Sequence, residues 1–350
     1  MKHFLTCFSL MLHLLPTIAF TASLQHQTSK LSEPCRIGIE KVKISPDGNL
    51  LAVVCNDDYR NLTAEYSLAI YDLKGLKELT RIPFHEESVF VAPVFFPEFS
   101  RDSRELLIFT DRDRSIGLTK ISLDPPYDSE YTPLSFENDV LKGVVTANHI
   151  AEDGQVYFGL GRYGAGPSLY SLDPKDFTVE RIFTDKPSST RGESVKAIST
   201  TGQYVLSMAR DNYLRVHERK APNFGQKTLL ESASFPYNLA NKDDVLYLGA
   251  SQNLSEHDVA SGKELSFESF DSEGPNLLIP RPDANLFLVL GGESSVQLRS
   301  LDKKELLLDT SNLAEYAGLY LPYVPVIDLS EEGSVLVVKT RDNLLVTYLN

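Results

Sequence analysis

Seven times along the chain a polar turn gives way to a dense apolar run. The runs are SPDGNLLAVVC (Ser45–Cys55), SRDSRELLIFT (Ser100–Thr110), AEDGQVYFGL (Ala151–Leu160), STTGQYVLSMA (Ser199–Ala209), NKDDVLYLGA (Asn241–Ala250), RPDANLFLVLG (Arg281–Gly291) and SEEGSVLVVKT (Ser330–Thr340). Gly, Asp or Asn in the turns tolerates the positive φ that tight hairpins require. The runs are apolar at odd and even positions alike and rich in Val, Leu, Tyr and Phe, so each predicts a strand covered on both faces. Another strand follows each run: SLAIYDL (Ser67–Leu73), GLTKISLD (Gly117–Asp124), SLYSLD (Ser168–Asp173), YLRVHER (Tyr213–Arg219), NLSEHDV (Asn253–Val259), SVQLRSLD (Ser295–Asp302) and LLVTYL (Leu344–Leu349). Most end on an acid (Asp72, Asp124, Asp173, Glu218, Asp258, Asp302), whose carboxylate is expected to accept from the next turn's backbone. Further strands are predicted at Glu78–Phe84, Thr178–Thr184 and Lys263–Phe270.

A unit of this kind recurring every roughly 40 to 55 residues has the period of a propeller blade. The predicted fold is all-β: a seven-bladed β-propeller of four-stranded antiparallel blades. The seventh unit stops after its third strand, which would leave an open sheet edge. The segment around Gln25 to Pro34 has no other place in the pattern. Part of it is expected to supply the missing outer strand, closing the ring and bringing the chain ends together.

SPDGNLLAVVCND (Ser45–Asp57) and DVASGKEL (Asp258–Leu265) carry a resemblance to WD-repeat and YVTN-type seven-bladed propellers, covering Gly38 to Asn350. The resemblance implies the architecture and no subfamily. The WD dipeptide is missing, since the chain has no Trp; Tyr71 and His217 fall near its first position. Fold alone assigns no function.

The chain start changes the picture of where the ring works. Lys2 and His3 precede an apolar stretch, Phe4 to Phe20, interrupted by Thr6, Ser9, His13 and Pro16. It is short and soft for a spanning helix. A charged start, an apolar middle and small residues at Ala19, Thr21 and Ser23 read as a secretory signal, with an uncleaved anchor or a buried segment as alternatives. The expected organisation is a signal peptide over residues 1–23 and one propeller over 24–350, secreted or periplasmic and without a transmembrane domain. Lys and Arg number 34 against 48 Asp and Glu, a net charge of −14. Such a surface excludes a phosphate-backbone partner, so no nucleic acid is expected.

Cys7 would leave with the signal, leaving Cys35 before the first blade's first strand and Cys55 at the end of its second, both toward one end of the blade. An exported compartment permits a Cys35–Cys55 disulfide; two free buried thiols are the alternative.

Arg112-Asp113, Arg210-Asp211-Asn212 and Arg341-Asp342-Asn343 recur in hairpins between second and third strands, opening on the same face as the inter-blade loops. Asp and Asn there make the turn, and the same side chains can ring a binding surface. The longest connections, Arg81–Ala92, Pro125–Lys142, Asp185–Ser194 and Thr310–Pro325, would form that face, with Tyr127, Tyr131, Tyr316, Tyr320 and Tyr323 as contact or core-capping aromatics. His217 and His257 each precede a strand-ending acid and read as structural, as does His149 before its turn. His85 with Glu86 and Glu87 has no second His at ligand spacing, and the Asp57/Asp58 and Asp111/Asp113 pairs lack a calcium loop's central Gly and distal Glu. No metal site or cofactor is read. GLGRYGAG (Gly159–Gly166) links two strands and is a hairpin, not a dinucleotide fingerprint. The leading expectation is a monomeric, non-enzymatic scaffold binding a protein or small ligand on its loop face. Its rival is a lactonase-like hydrolase or lyase with a metal in the channel, which requires carboxylates, Asn or His converging from different blades.

Overall fold

The computed structural model of the protein describes residues 26–60, 63–84, 96–112, 115–137, 139–151, 154–162, 165–184, 194–199, 201–208, 213–220, 223–231, 236–250, 253–270, 277–291, 295–309, 326–339 and 343–349. The predicted signal segment lies outside them. Among the described residues there is no helix, hence none long and apolar enough to cross a membrane.

A leading strand, β1 (His26–Ser32), precedes seven blades whose strands run outward from the axis in chain order. The first blade is β2 (Gly38–Ile44), β3 (Leu50–Arg60), β4 (Thr63–Asp72) and β5 (Lys77–Phe84). The second is β6 (Phe96–Phe99), β7 (Glu105–Arg112), β8 (Ser115–Ser122) and β9 (Ser129–Pro133), followed by a small hairpin of β10 (Ser135–Phe136) and β11 (Asp139–Val140). The third is β12 (Val144–Ile150), β13 (Val156–Arg162), β14 (Ala165–Leu172) and β15 (Val179–Thr184); the fourth is β16 (Ser194–Ile198), β17 (Tyr204–Met208), β18 (Tyr213–Lys220) and β19 (Asn223–Glu231). The fifth is β20 (Pro236–Lys242), β21 (Val245–Ala250), β22 (Asn253–Asp258) and β23 (Glu264–Ser269); the sixth is β24 (Leu277–Arg281), β25 (Leu286–Gly291), β26 (Ser295–Ser300) and β27 (Leu306–Asp309). The last is β28 (Ile327–Leu329), β29 (Val335–Lys339) and β30 (Asn343–Leu349), with β1 paired antiparallel on β30 from His26–Leu349 to Ser32–Asn343. The expected closure is therefore present: the start of the ring supplies the outer strand of its final blade.

The first turn of each blade explains why the apolar runs begin where they do. Ser45, Ser100, Ser199 and Ser330 each place Oγ where the amide five residues on donates to it, at 2.8, 2.9, 3.0 and 3.0 Å. The residue three beyond each Ser turns left-handed: Gly48 (φ 68°), Ser103 (57°), Gly202 (70°) and Gly333 (70°). Asp72, Asp173, Asp258 and Asp302 cap the turns after the third strands, accepting from the amides of Gly75, Lys175, Ser261 and Lys303. Side-chain oxygens thus satisfy backbone donors that a turn leaves unpaired.

The core is not one mass at the centre. It is divided among the blade interfaces, because each second strand is covered on both faces: Leu51, Ala52, Val53, Val54 and Cys55 are all fully buried. Odd residues of β3 join Val337 and Val346 of the last blade, while even ones join Leu106 and Ile108 of the second. The same division continues around the ring, with Phe109 against Phe158 between blades two and three (centroids 5.0 Å) and Phe270 against Phe287 between five and six (5.4 Å). Blades six and seven share Leu288, Leu298, Leu329 and Leu336.

Two faces result. One carries the capped turns, such as Ser45–Asn49 and Leu73–Leu76. The other carries the hairpins between second and third strands and the connections from blade to blade.

Candidate functional site

On every inner strand, one position lies two residues before the first turn. The occupants are Lys43, Glu98, His149, Ala197, Leu239, Ile279 and Asp328. All seven line one cavity of about 350 Å³ in the central channel, with Pro46 and Glu331 at its mouth on the capped-turn face. The layer is two-sided. Four consecutive blades, from the last to the third, contribute Asp328, Lys43, Glu98 and His149; at the same position the remaining three carry Ala197, Leu239 and Ile279, with Asn238 and Arg281 as further polar lining from blades five and six.

The ionisable half is a chain of contacts that crosses blade boundaries. Lys43 Nζ lies 2.9 Å from Glu98 Oε2, and His149 Nδ1 lies 3.5 Å from Glu98 Oε1. Asp328 Oδ2 accepts from the Ile44 amide at 2.8 Å, and its Oδ1 accepts from the Leu329 amide at 3.0 Å and Arg281 Nη2 at 3.3 Å. Arg281 Nε also donates to the Leu329 carbonyl at 3.1 Å. Burial alone would raise the Glu98 carboxyl, but Lys43 and His149 outweigh it and hold the group at about 2. Burial works against the Lys43 charge, yet Glu98 and Asp328 push its pKa above the ordinary lysine value. With these shifts neither group is set to exchange a proton near neutral pH. Asn148 Nδ2 and His149 Nε2 are buried beside the channel without a hydrogen-bond partner. Among the described residues no three His, Cys, Asp or Glu side chains are grouped to hold a metal ion.

None of the channel residues was picked out from the sequence as a site. A polar residue in one short strand is unremarkable; the signal appears only when the seven turns are aligned and the position before them is compared.

The predicted contact residues fall in several places. Arg112 ends β7, beside the hairpin to β8, as expected; its side chain and Asp113, Arg210, Asp211, Asn212, Arg341 and Asp342 lie outside the described residues. So do Tyr316, Tyr320, Tyr323, His85, Glu86 and Glu87, and with them residues 85–92, 185–193 and 310–325 of the expected loop face. Two segments assigned to that face belong elsewhere. Arg81 to Phe84 complete β5, and Pro125 to Asp128 form the turn between β8 and β9, on the capped-turn face. Tyr127 sits in that turn with φ 64°, and Tyr131 lies on β9 with its ring filling the space beside Gly117. The misplacement arose because Ser129–Pro133, an exposed and polar outer strand, has no apolar alternation to announce it. His217 and His257 are buried, each with Nε2 hydrogen-bonded to a Ser hydroxyl, Ser207 at 2.9 Å and Ser255 at 3.0 Å; burial lowers the His257 pKa.

Cys35 and Cys55 are joined in a disulfide with Cα atoms 5.1 Å apart. It fastens the passage from β1 to β2. Arg81 assists by donating from Nη2 to the Pro34 carbonyl at 2.8 Å while paired with Glu78 at 2.6 Å.

No family model matches the chain, and no curated protein matches it. The propeller architecture therefore stands on the strand order, register and turn chemistry given above.

Proposed function

We propose that the protein is an exported, monomeric β-propeller that acts as a binding module, holding a protein or small ligand on the face that carries the inter-blade connections. The observation that supports this most is the asymmetry between the two faces. Capped turns such as Ser45–Asn49 and Leu301–Glu305 are short and self-satisfied, whereas connections between blades run through residues 85–95, 134–143, 185–193 and 310–326. Variable connections on a rigid scaffold are where recognition resides. Most of one is described: β10 and β11 stand beside the hairpin end of blade two, with Ser115 bridged to Lys142 and Val140 45% exposed. Arg112, Asp113, Arg210, Asp211, Asn212, Arg341 and Asp342 are proposed as contact residues on this face. The lactonase-like reading has less support, because Glu98 and Asp328 are each engaged by cations instead of standing open to a metal.

The test is face-specific crosslinking in the exported fraction. A photo-reactive residue at Val140 or Lys142 should yield a defined adduct, and one at Asp176 or Lys303 on the capped-turn face should not. Adducts only from Asp176 or Lys303, or none from any position, would refute the reading. Recovery of chain beginning near residue 24 outside the cytoplasm checks the export step; β1 starts at His26, so such cleavage leaves the closing strand whole.

A further inference from the structure

Beyond the loop face, the channel has its own unmet chemistry. The two carboxylates at the level of the cations are supplied: Asp328 accepts from two amides and a guanidinium, and Glu98 is held by Lys43 and His149; a third, Glu331, stands at the mouth. The two cations are not. Lys43 has three N–H donors and one partner, Glu98. Arg281 has five, committed to Leu329 O at 3.1 Å, Asp328 at 3.3 Å and, at the edge of hydrogen-bond distance, Pro280 O at 3.4 Å. The cations are also the more accessible members: side-chain exposure is 29% for Lys43 and 17% for Arg281, against 11% for Glu98 and 10% for Asp328. Lys43 and Arg281 flank Asp328 from the neighbouring blades. Beside Asp328 and Glu98 the spare capacity is therefore donor capacity carried on positive charge. Blades four to six line the cavity with Ala197, Ile198, Leu239 and Ile279, together with Asn238, whose Nδ2 donates to the Leu278 carbonyl at 2.8 Å.

We infer that the channel cavity binds a small amphipathic carboxylate, its oxyanion held by Lys43 and Arg281 and its short aliphatic tail laid against Ala197, Leu239 and Ile279. A carboxylate accepts several charge-assisted hydrogen bonds at once, which a carbonyl or an alcohol does not match. The tail is placed there because Ala197, Leu239 and Ile279 are the apolar members of that lining, and each methylene buried against them adds affinity. A cavity of about 350 Å³ admits a chain of a few carbons and excludes a long lipid. The mouth lies on the capped-turn face, so this site and the proposed docking face are at opposite ends of the ring and can be occupied independently.

Hexanoate is the probe, followed by methyl-detected NMR on the wild-type protein with labelled isoleucines. Titration should shift Ile198 and Ile279 and leave Ile82 and Ile121, at the interface of blades one and two, unchanged. Acetate, lacking the tail, should bind at least tenfold more weakly; methyl hexanoate and hexylamine, lacking the anion, should not shift these signals. Arg281→Gln should weaken hexanoate about tenfold. Should that variant fail to fold, Ala197→Phe, which fills the apolar wall and keeps both cations, should abolish the shifts. The inference is overturned if hexanoate leaves Ile198 and Ile279 unmoved at 20-fold excess over about 1 mM protein, if the ester or the amine binds as well, or if acetate matches hexanoate.

Discussion

Glu98 shows how much a single side chain inside the ring is asked to do. Its carboxylate joins blade one, through Lys43, to blade three, through His149, and stays ionised down to about pH 2. Because its folded pKa is depressed, its contribution is present above the unfolded carboxylate range and is lost as pH falls from about 4.5 toward 2. A shift of that size corresponds to about 3 kcal/mol. Glu98→Gln leaves Lys43 half-buried without its partner, so the variant should be less stable than wild type at pH 7 by about 3 kcal/mol. The gap should narrow steadily between pH 4.5 and 2 in urea titrations, since the wild-type carboxylate is protonated over that interval; a gap that stays constant would show that Glu98 is not held by the pair. Gly249 makes a different demand. A Cβ there would press on the backbone carbonyl of Leu278 in the next blade, which cannot swing aside as a side chain can. Gly249→Ala should cost about 1–3 kcal/mol by denaturant unfolding.

At the scale of elements, the decisive piece is β1. It pairs with every residue of β30 from Asn343 to Leu349 on the side away from β29, and Leu31 adds to the cluster between the last blade and the first. Without it the final blade keeps an exposed edge. A chain starting at Glu33 should lose its single sharp thermal transition and elute as larger species on size exclusion; normal melting of that truncation would contradict the closure role. The disulfide acts on the same joint, linking residues 20 apart in sequence. Mass spectrometry of the purified protein should find neither Cys35 nor Cys55 alkylated before reduction. Replacing both by Ser should lower stability by about 3 kcal/mol on the chain-entropy account, with the loss seen as a lower urea midpoint. The outer strands, by contrast, carry little of the fold's energy. β9 and β23 are mostly exposed, and Leu265 and Phe267 remain open to solvent on β23.

Taken as a whole molecule, the ring holds together by interfaces and not by a central core. Each blade's second strand gives alternate residues to the blades on either side, so loss of one blade would strip two neighbours of apolar cover. Side chains also cross the boundaries: Lys43 to Glu98, Arg281 to Asp328, and Lys339 to the Ile39 carbonyl at 2.6 Å. Unfolding is thus expected to be cooperative around the ring, even though repeat arrays that stay open unfold by parts. A closed body of this kind gives two unlike ends to work with, one carrying the capped turns, the other the long connections.

Blade number, strand order and ring closure were legible in the chain because local chemistry repeats them. A Ser or Asp that must cap its own turn, a left-handed Gly, and a run apolar on both faces depend on residues a few positions apart. The disulfide was readable only as one of two options, since spacing does not show which thiols meet. The charged belt was decided by tertiary structure alone. Lys43, Glu98, His149, Arg281 and Asp328 come from five different blades far apart in the chain; ring closure sets Asp328 beside the Ile44 amide, and the packing of neighbouring blades sets Lys43 beside Glu98. Turn and strand propensities act over short stretches of chain, whereas the pairing of charges in a channel depends on which strands the ring brings to its axis.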